Sequence, residues 1–382
     1  MIKRKNLIDQ TLAAIHRSPI AAILGPRQCG KTTLAREIAN SQKSYYFDLE
    51  DVVSAARLET SPQLTLQSLD GLIIIDEIQR KPDLFPILRV LADRPDSKAK
   101  FLILGSASPS LVRNTTESLA GRIAFVDMAG FDLSEVREAG HRQLWLRGGF
   151  PRSYLATSYE TSCEWRQDFI RTFLERDIPQ LGITIPSETL RRFWMMIAHS
   201  HGQIWNATQF SRSLGMSEAT IRRYLDILTG AFVVRQLVPW FENLKKRQVK
   251  APKVYIRDSG ILHSLLSLHD DAILAHPKLG ASWDGFIIEQ IIRAVKTRDC
   301  YYWATHAGTE LDLLVMLPAK RIGFEVKYTD APRPTKSVHN ALEDLALDHL
   351  YIVYPGNEDY LLKENVTAIG VTNLTALLTK IG

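Results

Sequence analysis

The sequence predicts an α/β fold: a parallel sheet carrying a phosphate-binding loop, then a helical and basic middle, then a second α/β unit. Three observations carry this. Residues 25–32 read Gly-Pro-Arg-Gln-Cys-Gly-Lys-Thr and fit the pattern G-x-x-x-x-G-K-[ST], lying between an apolar run, Ile20–Leu24, and a helix-like stretch, Thr32–Asn40. Leu72–Ile75 is a run of four apolar residues closed by Asp76 and Glu77, as expected of a strand buried on both faces. Apolar runs alternate with helical stretches through the first 130 residues, the order that builds a parallel sheet.

The strands expected in that region are Ile20–Leu24, Tyr45–Leu49, Leu72–Asp76, Phe101–Gly105 and Ile123–Met128. After the first, Gly25 and Gly30 let the backbone curl so that its N–H groups face phosphate oxygens, and the helix that follows adds partial positive charge. The nucleotide-binding set is Gly25, Pro26, Arg27, Gln28, Cys29, Gly30, Lys31, Thr32 and Thr33. Lys31 would meet the β and γ phosphates of ATP, and Thr32 with Asp76 would hold Mg2+. Glu77 would polarise the attacking water as general base. Gly105–Ser108 follows the fourth strand, so Ser106 is placed to touch the γ phosphate or position water. Cys29 fills a variable loop position, with a thiol-sensitive ATPase as the alternative.

At 382 residues the chain is too long for one ordinary core. It has no apolar stretch near the length of a membrane span and no signal-like segment after Met1, so a soluble, cytoplasmic protein is expected. Three cysteines, widely spaced and odd in number, suit a reducing compartment and no zinc site. Charge is uneven. Residues 191–258 hold twelve Lys or Arg against four Asp or Glu, net +8, on a chain whose total is +5. A basic middle points to a polyanion there, with a solvated charged face as the alternative.

Residues 131–190 read as a helical lid broken at Gly148–Pro151, and Phe169–Leu174 leads an amphipathic stretch with a charged end, Glu175-Arg176-Asp177. Residues 191–250 read as a winged helix-turn-helix. Asn206–Leu214 is its first helix, Gly215-Met216-Ser217 the turn with Ser217 as cap, and Glu218–Leu228 the second helix. Ile221, Leu225 and Leu228 share its inner face, and Phe232–Pro239 is the wing strand. Arg222 and Arg223 then face outward, suited to duplex or branched DNA, while a protein-docking role is the competing reading. From 251 to 382 a separate α/β unit is expected. It comprises a helix Ser282–Val295, paired strands Tyr301–Trp303 and Leu311–Met316 turning at Gly308, a strand Arg321–Val326, a helix Lys336–Ala346 and a strand Leu350–Tyr354.

Within that unit Asp312 precedes Glu325-Val326-Lys327 by about a dozen residues, which resembles the PD-(D/E)xK nuclease signature without its proline. Asp312 and Glu325 would share magnesium, Lys327 would activate water, and Glu289 on the preceding helix resembles the extra acid of such nucleases. Glu310 is a competing acid on the same hairpin.

Taken in order, these motifs resemble a prokaryotic family of AAA+ ATPases with a C-terminal domain of unknown function. The matching stretches include Gly25–Thr32, Tyr46–Glu50, Ile73–Gln79, Leu104–Ser108, Leu119–Arg122, Gly148–Pro151, Glu175–Ile178, Lys253–Asp258 and the Asp312, Glu325, Lys327 set. The resemblance implies a P-loop AAA+ core (1–130), a helical lid (131–190), a winged helix-turn-helix (191–250) and a restriction-endonuclease-like end (251–382). In ATPases of this type Ser106 occupies a sensor position, and Arg122 stands where an arginine reaches a neighbouring subunit's nucleotide, with an ordinary surface arginine as the alternative; the first reading implies a homo-oligomer such as a hexamer. Trp283-Asp284 departs from the expected pattern, since a Glu is expected after the aromatic. Three functions follow as expectations: an ATP-driven protein acting on DNA, an ATP-switched regulator binding proteins, or an ATP-gated nuclease.

Overall fold

The computed structural model describes residues 2–95, 98–106, 119–136, 140–242, 248–295 and 297–381. The chain forms two compact units, residues 1–130 with 226–232, and residues 131–225 with 233–382.

The first unit is built on a five-stranded sheet of order β2-β3-β4-β1-β5. Its strands are β1 (Ile20–Gly25), β2 (Ser44–Asp48), β3 (Gly71–Asp76), β4 (Ala99–Ser106) and β5 (Ile123–Asp127). Every pairing is parallel. That explains why Ile20–Ile23 and Ile73–Ile75 read as unbroken apolar runs: they are fully buried, because a parallel sheet is covered on both faces. One layer of the core joins Phe47, Ile73, Ile75, Phe85, Leu88, Phe101 and Ile103. The helix Lys5–Arg17 lays Leu7, Thr11, Ala14 and Ile15 inward, an i, i+4, i+7, i+8 spacing that makes one apolar face. Loops at the carboxyl ends of the strands share one edge, where open α/β sheets bind ligands.

The second unit begins with the helices His141–Arg147, Pro151–Tyr154, Tyr159–Thr172 and Ser187–His199. The break expected at Gly148 is real. Gly148 has φ +77°, and a Cβ there would lie 2.1 Å from an Asp258 carboxylate oxygen. The Asp258 carboxylate accepts from Gly149 N–H at 2.8 Å and from Ile261 N–H at 2.9 Å, capping the helix Ser259–Leu265. The charged end of the stretch after Phe169 is a π-helical turn, Phe173–Asp177, rather than plain α-helix.

A three-stranded sheet of order β6-β8-β7 follows, from β6 (Gln203–Ile204), β7 (Val234–Leu237) and β8 (Lys253–Ile256). Between β6 and β7 lie the helices Ala207–Leu214 and Glu218–Gly230, with Gly215 in the left-handed conformation between them. Asn206 caps the first helix instead of starting it, its side chain accepting from Gln209 N–H. Ser217 accepts from Thr220 N–H at 3.2 Å, as expected of its capping position. Ile221, Leu225 and Leu228 are buried.

The C-terminal sheet has six strands in the order β13-β14-β12-β11-β10-β9. They are β9 (Cys300–Ala304), β10 (Glu310–Leu317), β11 (Lys320–Val326), β12 (His349–Tyr354), β13 (Tyr360–Lys363) and β14 (Val366–Gly370). The hairpin of β9, β10 and β11 is antiparallel, and β12 joins β11 in parallel after the helix Lys336–Asp344. The outer edge of β9 is covered: Tyr302 N–H donates to Val238 at 3.1 Å and Trp240 N–H returns to Tyr302 at 2.7 Å. β13, β14 and the helix Leu374–Ile381 complete the unit beyond the strands expected from periodicity. No helix among the described residues is long and apolar enough to cross a membrane.

Candidate nucleotide site and a second charged cluster

The loop after β1 carries the predicted set, and the fold brings its partners to it. β4 lies between β1 and β3, so the loop at the end of β1 and the acids at the end of β3 converge at the same sheet edge. The Thr32 hydroxyl donates to Asp76 Oδ2 at 2.7 Å. Tyr46 O–H donates to the same oxygen at 2.6 Å, and Glu77 N–H donates to Asp76 Oδ1 at 2.9 Å. Asp76 is buried, and these three donors compensate the cost of placing a carboxylate there. Two oxygen donors so close, one hydroxyl and one carboxylate, fit the hard-donor preference of magnesium.

Lys31 is buried, its ammonium donating to the carbonyls of Gly25 at 3.0 Å and Pro26 at 2.8 Å, so the charge sits over the mouth of the loop. Glu77 lies one residue past β3 with φ +56°, a left-handed conformation that is costly for a residue with a Cβ. Its carboxylate accepts from Gln79 and stands 3.9 Å from Arg27. Burial raises its pKa, with Lys31 and Arg27 opposing, which makes it a stronger base than a free carboxylate. Arg27 also approaches Glu50 at 3.7 Å, and Arg80 bonds the same Glu50 at 3.0 Å. Gln28 and Thr33 are exposed. Cys29 is wholly buried, so the loop thiol is shielded from reagents. Ser106 ends β4 opposite Gly25, and its side chain and the residues after it lie outside the described set.

Arg122 stands apart. Its carbonyl accepts from Ile20 N–H at the amino end of β1, about 17 Å of strand from the loop at the carboxyl end. Its guanidinium makes a two-point ion pair with Asp93, at 2.6 and 2.8 Å. Arg222 and Arg223 are exposed, Arg222 lying 3.5 Å from Glu218 one turn earlier.

Arg4, Tyr46 and Gln79 were not anticipated as site residues. Tyr46 and Gln79 each lie in a matching motif but carry no signature of their own. Burial and the bond to Asp76 push the Tyr46 phenol well above its ordinary range, so it stays a donor.

In the second unit the register Leu313 to Phe324 sets Asp312 beside Glu325. Asp312 Oδ2 accepts from Val326 N–H at 3.0 Å, and Lys327 pairs with Glu325 at 2.8 Å. Lys253, on β8, pairs with Glu310 and lies 3.7 Å from Asp312. Glu289 does not join them, which corrects the expectation for that residue. Arg235 binds it at 2.6 Å and Arg257 at 2.7 Å. Burial alone would raise the pKa of Glu289, but the two arginines reverse this and hold it down at about 2. The acid from the same helix that does face the cluster is Asp284, whose carboxyl is pushed well up by burial and by Asp312. Five positions on one helix turn Asp284 and Glu289 about 140° apart, onto different faces, and only the strands packed against each face decide which acid is paired elsewhere. Among the described residues no three acids, histidines or cysteines converge closely enough to hold a metal ion.

The fold and the loop geometry define the class, an AAA-type P-loop ATPase. Residues 17–137 match the AAA domain family, and residues 139–272 and 279–374 match two domains of unknown function, DUF8612 and DUF4143. The uncharacterized protein Rv2008c of Mycobacterium tuberculosis is 50% identical over 370 residues, covering 97% of this chain and 84% of the relative. Mb2031c of Mycobacterium bovis matches equally. The chain belongs to the family of these mycobacterial proteins, and in this chain the AAA domain precedes the two further domains. The Walker-type ATPase PABY2304 of Pyrococcus abyssi shares the fold at 16% identity and TM-score 0.52, over 70% of this chain and 96% of its own.

The acid cluster has a pH signature. Burial and Asp312 raise the pKa of Glu325 to about 7, from 4.5. A carboxyl raised on folding contributes stability that is full below about 4.5 and is lost as pH rises through about 7. Glu325→Gln should therefore gain stability relative to the native chain across that window, by on the order of 3 kcal/mol. Urea titrations at pH 4.5 and 8 measure the difference, and a pH-independent gap between the two proteins would refute the assignment.

Proposed function

We propose that the chain is an ATP-hydrolysing, DNA-binding oligomeric motor, one that migrates branches or translocates DNA in repair, recombination or defence. The observation that carries the ATPase half is the Thr32 hydroxyl bonded to Asp76 at 2.7 Å, beside a phosphate-binding loop and next to Glu77. Backbone N–H groups and Lys31 would hold the phosphates, Thr32 and Asp76 would hold magnesium, and Glu77 would take the proton of the attacking water. Magnesium, when bound, neutralises charge on the β and γ phosphates. Tyr46 keeps the Asp76 carboxylate turned toward Thr32. Ser106 at the end of β4 would touch the γ phosphate or place the water. Arg122 serves a neighbouring subunit, a reading supported by its place a strand length from its own loop. Its bond to Asp93 is exposed, so it opens at little cost.

The DNA half is supported by the net +8 segment and by Arg222 and Arg223, exposed on the second helix of what we read as a winged helix-turn-helix. We read the C-terminal strands and helices as a nuclease-like fold. We infer that its Asp312, Glu325 and Lys327 serve as a buried ion-pair network and not as a cutting site, because Lys253 and Lys327 each engage one of the acids.

Lys31→Ala should lose most ATP affinity, and Glu77→Gln should bind ATP yet turn over roughly 10²–10⁴-fold more slowly. Arg122→Ala should bind without hydrolysing, and mixing it with Glu77→Gln should restore part of the turnover. Full hydrolysis by the Glu77→Gln protein removes the base assignment, and full activity of Arg122→Ala at dilution removes the shared site.

Duplex and branched DNA should stimulate turnover. Affinity should fall with salt at a slope near −0.9 per phosphate contact, and replacing Arg222 and Arg223 together should flatten that slope by about two. Binding that ignores salt, or no binding at low salt, would favour a regulator that docks proteins through this helix. With manganese, supercoiled and branched DNA should stay intact; nicking that Asp312→Ala abolishes would overturn the ion-pair reading.

A further inference from the structure

Arg4 is buried, and its guanidinium is spent on the backbone of the nucleotide loop and its back wall. Nη1 donates to the carbonyls of Cys29 at 3.1 Å and Ala129 at 3.0 Å, and Nη2 donates to Gly130 at 2.8 Å. The wall and the loop are already in close contact. Met128 N–H donates to Leu24 at 2.7 Å, the Cys29 thiol lies 3.9 Å from the Met128 carbonyl, and a Cβ on Gly25 would fall 2.0 Å from that carbonyl. Arg4 itself is anchored, since its carbonyl accepts from Ile8 N–H at the start of the helix Lys5–Arg17, whose inner face is buried.

We infer that Arg4 is a positioning residue for nucleotide binding, setting the direction in which the Gly30 N–H points. The Cys29 carbonyl and the Gly30 N–H belong to one planar trans peptide, so they point opposite ways. Holding the oxygen outward on Arg4 turns the N–H inward, toward the place where a phosphate is cradled. The fork is suited to this because a guanidinium can serve three carbonyls at fixed angles, whereas an ammonium offers a single charge centre. Its charge behind the loop also adds to the attraction for the polyphosphate. In the sequence Arg4 lies in a basic start, Lys3-Arg4-Lys5, that resembles any solvated terminus.

The inference rests on the reading of Gly25–Thr32 as the nucleotide site. Its test compares the full chain with Arg4→Ala and Arg4→Lys by calorimetric titration with ATP and magnesium, steady-state kinetics, and thermal melts without nucleotide. Arg4→Ala should raise the ATP Kd about ten- to a hundredfold, the size of one lost charge-assisted orientation, and KM with it, while kcat changes less than about threefold. Arg4→Lys should fall between. A role confined to folding would lower the melting temperature and leave Kd unchanged well below it. A folded Arg4→Ala protein with the native Kd overturns the Arg4 assignment alone. If Arg4→Ala does not fold, Arg4→Lys decides: a Kd raised severalfold supports the assignment and an unchanged Kd overturns it. Absence of ATP binding by the native chain would overturn both this inference and the site reading beneath it.

Discussion

One hydrogen bond, from the Thr32 hydroxyl to Asp76, ties together segments 44 residues apart. It exists because β1 and β3 run parallel with β4 between them, so both end at the same edge. A parallel sheet needs its strands buried on both sides, which forces the apolar runs at Ile20–Ile23 and Ile73–Ile75. The polar chemistry is thereby confined to the residues immediately after each strand. Asp76 tolerates burial there because Thr32, Tyr46 and the Glu77 N–H all donate to it.

Around that bond the site is held by charges that are already partnered. Glu77 combines a left-handed backbone with a carboxylate steadied by Gln79 and Arg27. Strain of this kind persists where neighbouring contacts over-determine a residue, and it aims the side chain at one place. Behind the loop, Arg4 and the Met128–Gly130 wall fix the backbone that the phosphates would meet. Rigid support of this sort lets a short loop offer preorganised donors.

The second unit solves a different problem, how to bury many charges. Glu289 sits between Arg235 and Arg257, and Asp312 and Glu325 lie against Lys253 and Lys327. Lys327 follows Glu325 just past the end of the same strand, but Lys253, Arg235 and Arg257 reach their acids from other elements, so the three-stranded and six-stranded sheets of this unit are linked by ion pairs as well as by the strand edge at Tyr302. Removing Arg235 or Arg257 would leave the buried Glu289 carboxylate less compensated, which is costly.

The local features were legible in the sequence. The loop at Gly25–Thr32, the buried run before Asp76, the cap at Ser217 and the inner face Ile221, Leu225, Leu228 all follow from short-range spacing and backbone chemistry. Partnership was not legible, because it depends on which elements meet. Asp284 and Glu289 point to different faces of one helix, but which face meets Arg235 and Arg257 is decided only by packing. Arg122 reads from its position as an arginine for a neighbouring subunit's nucleotide, but its partner Asp93 appears only in the fold, and Arg4 reads as one of three consecutive basic residues until the helix it starts carries it under the loop. Periodicity reports which way a side chain points on its own element; only the packing of distant elements supplies the atom at the other end of the bond.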